Sequence, residues 1–340
     1  MTMQNDDMFA DAARDVLADH CTPQVVRAIE AGGREAGEAR QLWEQLESTG
    51  LADALLSEDE GGAGLGLSQV FGVLEQCGAH VLPVPLGETM AARALLPAQA
   101  RPSGSIALAR GECQADGSWH CAMVRGGRVA DAVLVQAGQA WRLLAVDGAG
   151  QSPQALSLDR AMSWSAAQVQ ATPQLGLPDA LDVRTLQACV IVPQMAGAMG
   201  SVLARTLQYA NERQQFGRPI GKFQAIQHQL AVMSEHVFAA RMAAQLGCSG
   251  AGAQPDRLRV ATAKARCSEA ALAVSEFAHA IHGAIGFTEE YDLQLYTRRL
   301  HAWRQTAGSE TYWQTVAGEA LFEHAGLTLD MVRCITDVPA

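Results

Sequence analysis

Between residues 6 and 55, apolar positions recur at helical spacing among charged ones. The segments 6 to 19 (DDMFADAARDVLAD), 23 to 32 and 37 to 55 predict three helices, with Gly33 as a break. Gly61, Gly62, Gly64 and Gly66 then form a turn ahead of SQVFGVLEQCGAHVL, a helical pattern for which Ser68 is the expected N-cap and which Pro83 and Pro85 end. From about Pro97 to Gly176 the period changes. SIALA, WHCAMV, VADAVLVQA and WRLLAVD are short β-rich runs between glycine-bearing turns, whereas QALSLDRAMSWSAAQVQATP carries weaker strand signals. After Pro178 the helical period returns at about 182–212, 222–248, 256–282, 289–304 and 309–325, joined by short glycine or proline breaks as antiparallel bundle helices are. Pro193 predicts a kink in the first of them. The expected fold class is therefore α+β, mostly α. It comprises a helical N-terminal domain (1–96), a small middle β domain (97–177) and a C-terminal helical domain (178–340).

The chain has 340 residues, 49% of them hydrophobic, enough for a substantial buried core. Of the net charge of -11, nearly all sits in residues 1 to 60, where 14 acids face 4 arginines. That balance excludes nucleic acid as an expected partner. No uncharged apolar run reaches the roughly 18 residues of a membrane span, and the N-terminus is acidic instead of basic then apolar. A cytoplasmic protein with no membrane span is the expectation. The eight cysteines are scattered, with no C-x-x-C pair and no zinc-ligand spacing, so no metal is expected and the thiols read as core residues in a reducing compartment. Lys222 and Lys264 are the only lysines.

Three stretches carry a resemblance. LSEDEGGAGLGLSQVFGVLEQCGAHVLPVPLGET, ARTLQYANERQQFGRPIGKFQAIQHQLAVM and HAIHGAIGFTEEYDLQLYTRRL resemble, in that order, the glycine-rich turn and helix, the arginine turn and the glycine turn of the acyl-CoA dehydrogenase family. The resemblance spans essentially the whole chain. It implies a helical domain, a middle β domain and a C-terminal four-helix bundle, with FAD as cofactor and an acyl-CoA as substrate. It also implies that Arg213 reaches across a subunit interface to the FAD pyrophosphate, with Gln224 eleven residues on also touching the cofactor. A guanidinium fork pairs with two phosphate oxygens, and the tip of a helical hairpin can carry it into another subunit. Phe216 beside it can pack on a ring of the cofactor. His282, Gly283 and Gly286 match the glycine turn whose amides approach the dinucleotide, while Ala280 and Ala284 stand where the family carries glutamine and a second glycine. Ser309, in QTAGSET, completes the set of expected FAD contacts.

Family members abstract an α-proton from the acyl thioester, which requires a carboxylate base of raised pKa. The alignment puts Ala307 at the usual base position and Gln187 at the alternative one, 26 residues before Arg213; neither can take a proton, and a shift of one residue restores no acid. Glu310 reads as a first-turn helix acid. The middle segment lacks both the T-E-P-x-x-G-S-D-like loop and the W-I-T/S-N-like strand that hold the flavin ring, and Trp119 and Trp164 read as core aromatics. No catalytic residue is assigned. The resemblance is to the short, base-less subunit of heteromeric (α2β2) members acting on sterol or bile-acid side chains, with electron transfer flavoprotein as the implied acceptor. A self-sufficient homo-oligomeric enzyme with a displaced base such as Glu310, and a cofactor-free scaffold, are the alternatives.

Overall fold

The computed structural model describes residues 2–250 and 252–337. Five N-terminal helices, α1 (Thr2–His20), α2 (Pro23–Gly32), α3 (Gly37–Ser48), α4 (Leu67–Ala79) and α5 (Leu86–Leu95), precede the strands. Thr22 caps α2 through its hydroxyl, with Pro23 in the first turn where no amide is needed. Helix α3 stops at Ser48, short of the expected residue 55, because Gly50 takes a left-handed φ of 74° and turns the chain. The cap of α4 is Gly66, whose amide donates to the Gln69 side chain at 2.9 Å, so Ser68 lies inside the helix.

The middle region is a six-stranded sheet: β1 (Ile106–Cys113), β2 (Trp119–Val124), β3 (Ala132–Ala137), β4 (Ala140–Ala145), β5 (Gly150–Pro153) and β6 (Arg160–Trp164), followed by a short helix α6 (Ala166–Ala171). The order is β4-β3-β1-β2-β6-β5, with β1 and β3 parallel and the other pairs antiparallel. Alternation along β1 splits its residues between two cores. Ala107 and Ala109 face Trp119 and Trp164, which pair across β2 and β6, while Ile106 and Leu108 pack on Leu96 and Leu186 of the helical layers. Both tryptophans are thus buried core residues.

The C-terminal part holds α7 (Val183–Glu212), a hairpin of β7 (Gln214–Gln215) and β8 (Arg218–Pro219), α8 (Gln224–Gly247), α9 (Arg257–His282), α10 (Leu293–Gln305), α11 (Glu310–Glu323) and α12 (Thr328–Thr336). Asp182, Asp256 and Ser309 cap α7, α9 and α11. Helix α7 runs through Pro193 without a break. Proline offers no amide to the Cys189 carbonyl four residues earlier, and the Cys248 thiol donates to that carbonyl instead, at 3.6 Å. Val183–Glu212 and Arg257–Phe287 are long and apolar enough to cross a membrane by composition, against the expectation that no run reaches that length; the first is 83% and the second 44% buried, and the two pack on each other. Helices α4 and α7 touch backbone to backbone, since a Cβ on Gly78 would meet the Gln194 carbonyl oxygen at 1.8 Å and one on Gly197 that of Glu75 at 1.9 Å.

One buried polar latch joins all three layers. Arg125, at the end of β2, pairs with Glu88 of α5, donates to the Gln194 side chain of α7 and lies 4.9 Å over the Trp303 ring of α10.

Candidate functional site

The α7–α8 hairpin ends in a two-residue loop, Phe216-Gly217, with φ of 53° and 79° between the paired Gln215 and Arg218. This is the conformation that Asn-Gly prefers in tight hairpins. Phenylalanine there strains the backbone by about 1–2 kcal/mol, and its ring recovers little within the chain, being 91% exposed with only an edge contact to Phe223. Arg213 and Gln224 flank the loop, both exposed, and neither side chain has a hydrogen-bond or ion-pair partner among the described residues. An aromatic ring, a guanidinium and an amide are therefore all presented outward on a rigid tip. Phe216→Asn is expected to raise the chain's own stability by about 1 kcal/mol while weakening whatever the ring packs against. Thermal unfolding checks the first part, and an unchanged or lower midpoint would contradict it.

The glycine turn meets this hairpin from α9. His282 is 4% exposed, stacks on Tyr209 with ring centroids 4.4 Å apart, and has its Nδ1 2.8 Å from the Ala278 carbonyl. That contact places the proton on Nδ1, so Nε2 is a bare acceptor, buried and without a hydrogen-bond partner among the described residues. Burial lowers the His282 pKa and the bond to Ala278 opposes this only in part, so the ring is neutral. The Tyr209 hydroxyl donates to the His282 carbonyl, and Ala210, Leu230 and Ile281 pack together beneath, which fixes the two turns side by side. Gly283 is exposed, has a φ of 63° and has open space where a Cβ would stand. Gly286 instead turns inward. A Cβ there would lie 3.1 Å from both His282 and Leu293, so its glycine serves the packing of the turn. Ser309 is not part of this group: it accepts the Tyr312 amide at the start of α11, at the opposite end of α10.

At that opposite end, Gln187 and Ala307 line one and the same cleft of about 400 Å³ between the sheet, α7 and the α10–α11 loop. Gln187 donates to the Leu108 carbonyl at 2.7 Å. Glu112 is the single carboxylate among the lining residues, which also include Arg110, His120 and Arg184. Glu310 does not line it. Partial burial would raise the Glu310 pKa, but the hydrogen bond from Arg304 and the nearby Lys264 hold it below the usual carboxylate value. A carboxyl so held is a poor proton acceptor, which removes the physical basis for Glu310 as a displaced base. Sequence reading missed Glu112, His120 and Arg184; strand alternation, which puts Arg110 and Glu112 on one face of β1, was a signal for Glu112 alone.

The loop carrying Ala307 is fixed from below. Lys264, fully buried, donates to the carbonyls of Arg304 at 2.9 Å and Gly308 at 3.0 Å and to the Ser268 hydroxyl, while the Trp313 indole donates to the Ala307 carbonyl at 2.9 Å. Burial pulls the Lys264 pKa from 10.5 to about 7. Between those two values the unfolded chain holds a proton that the folded chain has released, so stability should rise with pH across that window and be level below it. Lys264→Met should flatten the rise; urea midpoints at pH 7, 8 and 9 for both proteins test this, and parallel profiles would refute it.

The acyl-CoA dehydrogenase N-terminal domain matches residues 3–98 and the C-terminal domain residues 176–322. Acyl-CoA dehydrogenase IpdE2 of Mycolicibacterium smegmatis is 32% identical over 304 residues, covering 89% of this chain and 94% of its own. The chain belongs to the acyl-CoA dehydrogenase family. Among solved structures, a chain of the Tcur3481-Tcur3483 steroid ACAD superposes with a TM-score of 0.81 at 26% identity, covering 95% of this chain and 99% of that one. A glutaryl-CoA dehydrogenase of Mycobacterium smegmatis solved with FADH2 shares the fold at 16% identity, with a TM-score of 0.74 over 95% of this chain and 96% of that one. FAD is the cofactor of the family, and the hairpin tip fits one: a free guanidinium for phosphate, an exposed ring for stacking, and an open glycine turn beside them.

Proposed function

We propose that this chain is the base-less, FAD-sharing subunit of a heteromeric acyl-CoA dehydrogenase that acts on bulky, steroid-type acyl-CoA thioesters. The observation that carries the reading is the pairing of Ala307 and Gln187 in one cleft: both family positions for the base converge there, and neither side chain can accept a proton. FAD, when bound, supplies the hydride acceptor for the β-carbon. The chain's own residues hold it: Arg213 pairs with the pyrophosphate, Phe216 packs on a ring, and Gln224 and the Gly283 backbone contact the dinucleotide. The partner contributes the carboxylate and the loops that grip the flavin ring, and electron transfer flavoprotein takes the electrons. The steroid ACAD above, whose name joins two components, supports both the partner and the substrate class.

A second reading, a self-sufficient homo-oligomer, finds its best base in Glu112, the cleft's one carboxylate; Glu112→Gln would silence such an enzyme and leave a base-less subunit unaffected. The experiment for the leading reading is flavin retention. The chain should purify colourless alone and yellow when expressed with a longer family member that carries the base. Stoichiometric FAD in the chain alone would contradict it.

A further inference from the structure

Away from both regions, a pocket of about 380 Å³ opens between the α1–α2 turn, the end of α4, α7 and α10. That volume is at the small end of the range for small-molecule sites, roughly 300–1,000 Å³. Its charged member is Arg205, which lies 4.9 Å over the Tyr296 ring and donates to the Tyr296 hydroxyl at 3.1 Å. The guanidinium is incompletely neutralised. Asp292 is held by Arg27 at 2.8 Å and offers Arg205 only its second oxygen, at 3.5 Å, so two cations share one carboxylate. The hydroxyls of Ser201 and Tyr296 both donate to the Ala79 carbonyl, which spends their protons. The pocket's charged donors therefore belong to Arg205, beside neutral donors on Thr22 and His80. His80 adds no charge, since burial and the neighbouring Arg205 lower its pKa.

Beside the polar Thr22 and His80, the wall carries the apolar Cys21, Pro23, Val81 and Leu295. Val81 is the more telling residue. It closes α4 with a φ of 46°, its amide on the Gly78 carbonyl and the Leu82 amide on the Cys77 carbonyl. That helix-closing position favours glycine, and a β-branched residue there is a true outlier. Strain of this kind clusters at ligand sites and switch regions, and Val81 lines this pocket together with Arg205.

We propose that this pocket binds a small organic carboxylate, with its anionic group on Arg205 and its hydrocarbon portion against Cys21, Val81 and Leu295. One unmatched positive charge suits a monoanion better than a phosphate dianion, and the apolar wall favours an organic acid over an inorganic ion. The site is separate from the hairpin tip and the Ala307 cleft, and stands whether or not the chain shares FAD.

Isothermal titration of the full chain with hexanoate, 1-hexanol and inorganic phosphate tests it. Hexanoate should bind saturably with a stoichiometry of about one per chain, and hexanol and phosphate about tenfold or more weaker, the loss expected for a missing charge-assisted hydrogen bond or missing apolar burial. Arg205→Gln should weaken hexanoate by a similar factor. Ala18→Phe, at the exposed rim, should block binding while leaving Arg205 and the fold in place. Absence of saturable hexanoate binding, phosphate binding as tightly as hexanoate, or unchanged affinity in either variant would overturn the proposal.

Discussion

Arg125→Met is expected to destabilise the protein by about 3–5 kcal/mol, the range for breaking one partner out of a buried ion pair. The effect is large because the substitution strands charge and does not merely delete a bond. Glu88 is 5% exposed, and the Gln194 side chain, 3% exposed, also faces Arg125. Both would lose their partner where water cannot replace it. The latch also joins β2 to α5, α7 and α10, so its loss loosens the sheet from both helical layers together. Glu88→Gln alone should cost less, since the amide still accepts a hydrogen bond. Arg125→Met combined with Glu88→Leu should recover much of the loss, because the uncompensated carboxylate is then gone. Urea unfolding of the single and double variants measures the coupling; strictly additive losses would show that the pair is not the source.

Arg213→Ala should behave in the opposite way, leaving stability alone and removing cofactor. The side chain has no partner among the described residues, so its loss costs the folded chain little. In the assembled complex a bidentate guanidinium–phosphate contact is worth two charge-assisted bonds, so FAD affinity should fall about a hundredfold or more. Arg213→Lys should fall between, because an ammonium keeps the charge and loses the fork. Flavin titration of the complex by absorbance, beside thermal unfolding of the chain, separates the two effects. A drop in stability with unchanged flavin affinity would refute the assignment.

The long helices and first four strands were legible because their apolar residues repeat at 3.6 or alternate, although the expected cap, Ser68, lies inside its helix. The β5–β6 hairpin was faint for a physical reason: GQSP at 150–153 is an exposed edge strand, with no buried face to impose alternation. The Arg213 turn could be placed between two helices because its residues lie in one short stretch. The cleft could not, since Glu112, Gln187 and Ala307 are far apart in sequence and only the fold brings them together. Gly286 shows the same limit at short range. The side chains that a Cβ there would crowd, His279, His282 and Leu293, come from positions its own stretch did not single out as packing partners. Lys264 carried a signal in being one of two lysines, but its work on the Ala307 loop depends on carbonyls 40 and 44 residues away.

In the proposed assembly the base lies on another chain. Its most direct test is acyl-CoA-dependent reduction of an artificial electron acceptor by the purified chain supplied with FAD, alone and then with its longer partner. A base-less subunit gives no turnover alone and full turnover on mixing. Steady turnover by the chain alone, abolished by Glu112→Gln, would contradict it.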